Sequence, residues 1–183
     1  MKIKPTIMYF LMAMLLVMIG LPNAQAKSAQ EINILTDATL ERFNKEVTGG
    51  QQFLNKAVGV LVFPQVLKAG LGVGGEYGEG VLREGGKNTA YYSTAAASFG
   101  FQAGAQSKSV VIVFLEQAAL NKFKQTKGWQ AGVDGSVAII KWGVGEDINT
   151  MSFKDPIVGF VFGNKGLMFN LTLEGSKITR ITR

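Results

Sequence analysis

Between Lys68 and Leu82 the chain reads KAGLGVGGEYGEGVL, with glycine at 70, 72, 74, 75, 78 and 80. Glycine at nearly every second position of an apolar run leaves one face of an extended strand bare of side chains. Such a face admits another piece of backbone, sheet or helix at close range. The same residues also spell G-x-G-x-x-G from Gly70 to Gly75. A phosphate-cradling turn of that type opens a helix and is answered by an acid about twenty residues on. Here Tyr77-Gly78-Glu79-Gly80 continues the glycine pattern and no acid stands at that distance. Nucleotide is therefore not expected as a ligand, and close strand packing is.

Around this stretch the apolar period is mostly that of strands. Val58 to Phe63 is a β-branched run that Pro64 is expected to stop, and Gly85-Gly86-Lys87-Asn88 reads as a turn. Thr89–Ala95, Ser98–Ala105 and Ser109–Phe114 follow as strand candidates, then Trp129–Ile140, Ile157–Phe162, Leu167–Leu173 and Ile178–Ile181. Helical spacing occurs twice. Ile32, Leu35, Thr39, Phe43 and Val47 form an apolar stripe near the start, with a short helical turn at Gln51–Lys56 after it. Ala119, Leu120 and Phe123 share one side of Glu116–Thr126. The expected fold is α+β and β-rich, a single antiparallel sandwich or barrel-like core with an N-terminal amphipathic helix and one mid-chain helix.

Residues 1–26 read as a leader rather than as part of that fold. Lys2 and Lys4 precede an uncharged apolar run from Ile7 to Leu21, and Ala24-Gln25-Ala26 has the small residues of a cleavage site. Cleavage after Ala26 leaves residues 27–183 as one domain, with a helix at 28–48 and a β-rich core at 57–183. Loss of Lys2 and Lys4 takes the formal charge from +6 to +4, since no acid is lost with them. A mild basic excess suits an anionic membrane surface, and it falls short of the clustered stripe of a nucleic-acid binder. The localisation expected is periplasmic, or peripheral on a membrane.

The 183 residues contain neither cysteine nor histidine. The core must hold without disulfides, and the commonest general base and transition-metal ligands are missing. A serine would need lysine as its base, and no Ser-x-x-Lys motif stands at a strand-to-helix turn. Asp134 with Ser136, or Glu76 with Glu79, are the nearest approaches to a paired site, and each reads better as turn or sheet-face polarity. The chain is not expected to be an enzyme or to carry a cofactor or metal. Basic residues beside aromatic ones are its chemistry: Lys122, Lys124 and Lys127 lie close to Trp129, and Lys141 precedes Trp142. Ammonium groups meet phosphate and indoles seat at the boundary of a lipid layer, although a solvated helix face followed by core tryptophans fits the same residues.

Several spaced blocks resemble the SYLF-domain family. They are Lys56–Pro64 (KAVGVLVFP), Gly74–Leu82 (GGEYGEGVL), Phe101–Gln106 (FQAGAQ) before Val110–Phe114, Gly132-x-Asp134-x-Ser136-Val137-Ala138, and Lys165–Phe169 leading to Leu173-Glu174-Gly175-Ser176. The resemblance spans about Phe53 to Ile181 and implies a lipid-binding module. Family members bind phosphoinositides and other anionic phospholipids, a yeast member binds actin, and bacterial members are typically exported. On this reading the protein is a non-enzymatic lipid binder of the bacterial envelope. Its contacts to anionic phospholipid or a membrane surface are expected at Lys122, Lys124, Lys127 and Trp129, with Lys68, Lys108 and Lys141 as secondary candidates, none of them carried over from a family motif. The alternative is a structural or protein-interaction component of the periplasm or outer membrane, whose glycine-flat surface receives an envelope protein.

Overall fold

The computed structural model describes residues 26–141, 155–165, 173 and 175–183, and the side chains of these except at 70–73, 98–105, 140–141 and 163–165. The leader up to Gln25, the polar segment 142–154 with Trp142, and most of the expected strand 167–173 lie outside the described residues.

Helix α1, Ala29–Glu46, begins where Ser28 caps it, the Ser28 Oγ accepting from the Glu31 amide at 3.1 Å. Ser28 and Glu31 have the spacing of a capping box, and Glu31 also places negative charge at the positive end of the helix dipole. Ile32, Thr36, Thr39 and Phe43 are its buried side. The exposed side is laced by Lys45–Glu41 and Arg42–Glu46 pairs at i, i+4 spacing. Gly49, at φ 78°, turns the chain into α2, Gly50–Lys56, which buries Phe53.

Strands β1, Gly59–Glu84, and β2, Lys87–Phe114, form one long antiparallel hairpin. Gly85 and Gly86 close it with φ of 55° and 78°, the pair of positive values that a two-residue turn needs to match strand twist. Pro64 does not stop β1. It sits in a bulge between Phe63 and Val66, where a missing N–H costs no ladder bond, and its carbonyl accepts from Ser109 Oγ at 2.8 Å. A second irregularity lies between Gly70 and Gly72.

Beyond it the hairpin folds back over its own first half. An added Cβ on Gly80 would lie 2.1 Å from the Val62 carbonyl oxygen, and one on Gly78 would lie 2.8 Å from Val66 Cγ2 and 2.9 Å from the Gln65 oxygen. The backbone that approaches the bare glycine face is thus the start of the same strand.

Helix α3, Gln117–Gln125, follows β2 and is succeeded by β3, Trp129–Gln130, β4, Ala138–Lys141, β5, Ile157–Lys165, and β6, Lys177–Ile181. Described strands form one six-stranded sheet. β2 is its spine: β1 runs along one edge, while the other edge carries β6 at Tyr91–Ala95 and β5 at Ser107–Phe114. β3 extends β6, and β4 lies parallel to β5. The sheet is therefore mixed where sequence pattern indicated antiparallel pairing. Residues 142–156 between β4 and β5 are long enough for the crossover that a parallel pair requires.

Two cores result. Leu61, Phe63, Val66, Val110 and Ile112 from the near half of the hairpin meet Leu82 and Tyr92 from the far half and Ile178 of β6, with Phe123 and Trp129 among them. On the outer face of the near half, Val62, Val111, Val113, Phe160 and Phe162 pack under Phe43, Val47 and Phe53 of the helical segment. Phe43 and Phe53 meet the Phe160 ring edge-on at centroid distances of 4.9 and 5.1 Å. Burial of both faces explains the nearly unbroken apolar runs at 58–63, 110–114 and 157–162.

Candidate functional site

Exposed cations line the connection where α3 runs into β3. Lys122 and Lys124 occupy the last turn of α3, where carbonyl groups and the helix dipole favour positive charge. Lys127 lies in the turn that follows, and Gly128 takes φ 67°. Lys177 at the start of β6 crosses over Gly128, its Cε 2.5 Å from where a Cβ would stand. Arg180, three positions further along β6 and therefore on the opposite face of the strand from Lys177, is exposed and paired in register with Tyr92. Lys122, Lys127, Lys177 and Arg180 form no ion pair among the described residues, whereas Lys124 Nζ is 2.8 Å from Glu84. That ammonium holds the Glu84 carboxyl below its ordinary range against the effect of burial, and a Thr89 hydroxyl at 2.7 Å adds to it.

The other expected contacts are placed differently. Lys108 is only 2% exposed and its Nζ lies 2.5 Å from Glu76 Oε2, while Lys68 Nζ is 3.6 Å from Oε1 of the same carboxylate. The fold-back at the glycines brings these three groups together, so Lys108 is a structural charge and not a surface contact. Breaking a buried pair from one side leaves an uncompensated ion. Glu76→Gln is expected to cost about 3 kcal/mol in urea unfolding, and Glu76→Gln with Lys108→Met to recover most of it.

Trp129 is 1% exposed. Its indole stands edge-on to Phe123 at 5.4 Å and covers Gly135, whose absent side chain makes room for it. The expectation that Trp129 seats at a lipid boundary is therefore corrected: its neighbours are core aromatics. The Lys141 backbone closes β4, but its side chain lies outside the described ones.

The acids raised as paired sites are also accounted for. Asp134 Oδ2 accepts from the Gln130 amide at 2.7 Å and fixes the turn after β3. Glu79, 5% exposed, accepts from Tyr77 Oη at 2.8 Å, from the Arg183 guanidinium and from the Lys27 amide at 3.1 Å. Burial pushes its carboxyl up, and the bonds from Tyr77, Arg183 and Lys27 outweigh burial and leave it below the ordinary value. Burial and the bond to Glu79 in turn push the Tyr77 phenol up. Among the described residues there is no cluster of acids fit to hold a metal ion, and no helix long and apolar enough to cross a membrane.

Sequence reasoning did not single out Lys177 or Arg180. The signal for Lys177 was present in the alternation of Lys177-Ile178-Thr179, with Ile178 inward, but its place beside the α3–β3 connection depends on pairing to Gln130. Residues 95–182 match the sequence model of the Ysc84 family, described as "Las17-binding protein actin regulator". This Ysc84 (SYLF) domain match begins within β2 and ends just after β6. The Ysc84 segment contains Lys122, Lys127, Lys177 and Arg180, and the first strand of the hairpin precedes it. Lipid or actin binding is the activity to which this family is linked. No curated protein matches the chain.

Proposed function

We propose that this protein is a non-enzymatic lipid binder of the bacterial envelope, and that anionic phospholipid head groups are received by Lys122, Lys127, Lys177 and Arg180. The observation that carries the reading is that Lys122, Lys127, Lys177 and Arg180 of the Ysc84 segment are exposed and form no ion pair among the described residues, while Lys124 beside them is neutralised by Glu84. The family's link to lipid binding and the leader-like residues 1–26 support it. Each lysine near an anionic surface contributes about 1 kcal/mol, and the contribution is screened as salt rises.

Vesicles of phosphatidylcholine with and without phosphatidylglycerol test the reading by sedimentation. The parent protein is expected to bind only the anionic vesicles, and to leave them as ionic strength approaches molar. Reversal of charge in Lys122→Glu, Lys127→Glu and Lys177→Glu together is expected to weaken binding at least a hundredfold. Parent-like binding by that triple variant would sink the proposal. A family description built on a protein partner favours, as the second reading, a protein-interaction component of the envelope. One stoichiometric polypeptide retained by lipid-free protein, with no binding to anionic vesicles, would select it.

A further inference from the structure

Lys27 is the first residue after the expected cleavage site and stands immediately before the cap of α1. Its backbone nitrogen is 3.1 Å from Glu79 Oε2. Tyr77 and Arg183 bond to the other oxygen, Oε1, so the Lys27 nitrogen is the partner of Oε2 among the described residues. Three donors from separate parts of the chain thus converge on one buried carboxylate. Ala26, on the other side of the Ala26–Lys27 bond, is exposed.

We propose that Glu79 is a socket for a new N-terminus made by proteolytic processing. Hydrolysis of the Ala26–Lys27 peptide bond by a processing peptidase consumes one water. It leaves a carboxylate on Ala26 and an amino group on Lys27, which is protonated at neutral pH because a free α-amine has a pKa of about 7.7–8.0. The neutral amide donor at Glu79 is thereby replaced by an ammonium at the same place, and a neutral hydrogen bond becomes a charge-assisted one. A positive charge just ahead of a helix is disfavoured by the helix dipole. Glu79 offsets that cost at the point where it arises, and it accounts for a buried acid on a strand whose next residue on the same face, Val81, is apolar and fully buried. Processing on this account does more than remove a leader: it strengthens the folded domain and fixes the entry of α1. The inference concerns maturation and does not depend on lipid binding.

The test starts from the full chain exported by a bacterial host, with the N-terminus read by intact mass. The mass of a chain beginning at Lys27 is expected. That protein is then compared with the same protein acetylated selectively on its α-amine, which removes the charge and keeps an N–H. Acetylation is expected to raise the unfolding equilibrium constant about tenfold, and to have no such effect in Glu79→Gln. An equal effect of acetylation in both proteins, no effect in the parent, or a start other than Lys27 would overturn the proposal. Should Glu79→Gln not fold, titration of the α-amine in the parent decides: a pKa above the ordinary range supports the socket, and an ordinary or lower one refutes it.

Discussion

Gly80→Ala is expected to remove most of the stability of the fold, and Gly75→Ala, five positions earlier in the same glycine-rich run, to change it little. The contrast follows from what a methyl group meets. At Gly80 it would lie 2.1 Å from the Val62 carbonyl oxygen, 2.9 Å from the Val62 carbonyl carbon and 2.7 Å from Phe63 Cδ1. Two of those atoms are backbone inside a paired strand, so relief requires the two halves of the hairpin to separate. Insertion of extra methylenes into a packed core costs about 1–3 kcal/mol when side chains can yield. Here they cannot, and a loss above about 3 kcal/mol is expected against a total of roughly 5–15 kcal/mol for a domain. At Gly75 the nearest atom is the Ala96 oxygen at 3.7 Å, an ordinary contact. Replacement there even restricts the unfolded chain, an effect of roughly 0.4–1 kcal/mol in favour of the fold. Gly78→Ala falls between, because Val66 Cγ2 can move but the Gln65 oxygen at 2.9 Å cannot. Urea midpoints of the three variants measure the order. Equal midpoints for Gly75→Ala and Gly80→Ala would disprove the fold-back of β1 on itself.

What the sequence made legible divides by range. The Ser28 to Val47 helix, the helix carrying Leu120 and Phe123, and the Gly85-Gly86 turn depend on neighbours a few residues apart, and pattern alone placed them. Pro64 misled because its local effect, a lost donor, is real, while the bulge that tolerates it is set by pairing to Lys108 and Ser109 on β2. The bare face at Gly78 and Gly80 was readable as a demand for close approach, but the identity of the neighbour was not, since Val62 to Val66 reach it only after the strand bends. Site residues follow the same rule. Lys122, Lys124 and Lys127 are exposed as the helical pattern indicated. Lys108 has the composition of a surface cation and the position of a core one, because Glu76 arrives from the far side of the bend. Lys177 comes beside the α3–β3 connection, and Arg180 beside Tyr92, through strand pairing, which no local pattern shows.

Trp129→Ala is expected to cost about 3–5 kcal/mol, the range for an aromatic deleted from a packed core, and to do so in the absence of any lipid. The indole fills the space between Phe123 and the backbone at Gly135, and Phe123 in turn touches Tyr92 and Phe114 at centroid distances of 5.0 Å. A cavity there removes contacts from α3, β2 and β3 together, and those elements hold Lys122, Lys127 and, through β6, Lys177. Loss of anionic-vesicle binding in Trp129→Ala would therefore report a displaced scaffold and not a missing lipid contact. Fluorescence separates the two meanings. In a Trp142→Phe background Trp129 is the sole tryptophan, and its emission is expected to be blue-shifted, resistant to acrylamide, and unchanged when anionic vesicles bind the protein. A further shift or new protection on vesicle binding would show that the indole reaches the bilayer, and the cationic surface would then have to open before it could bind. Constant emission, with binding lost in the Lys122, Lys127 and Lys177 charge reversal, is the combination that a rigid cationic surface requires, because electrostatic attraction to head groups needs no apolar side chain to leave the core.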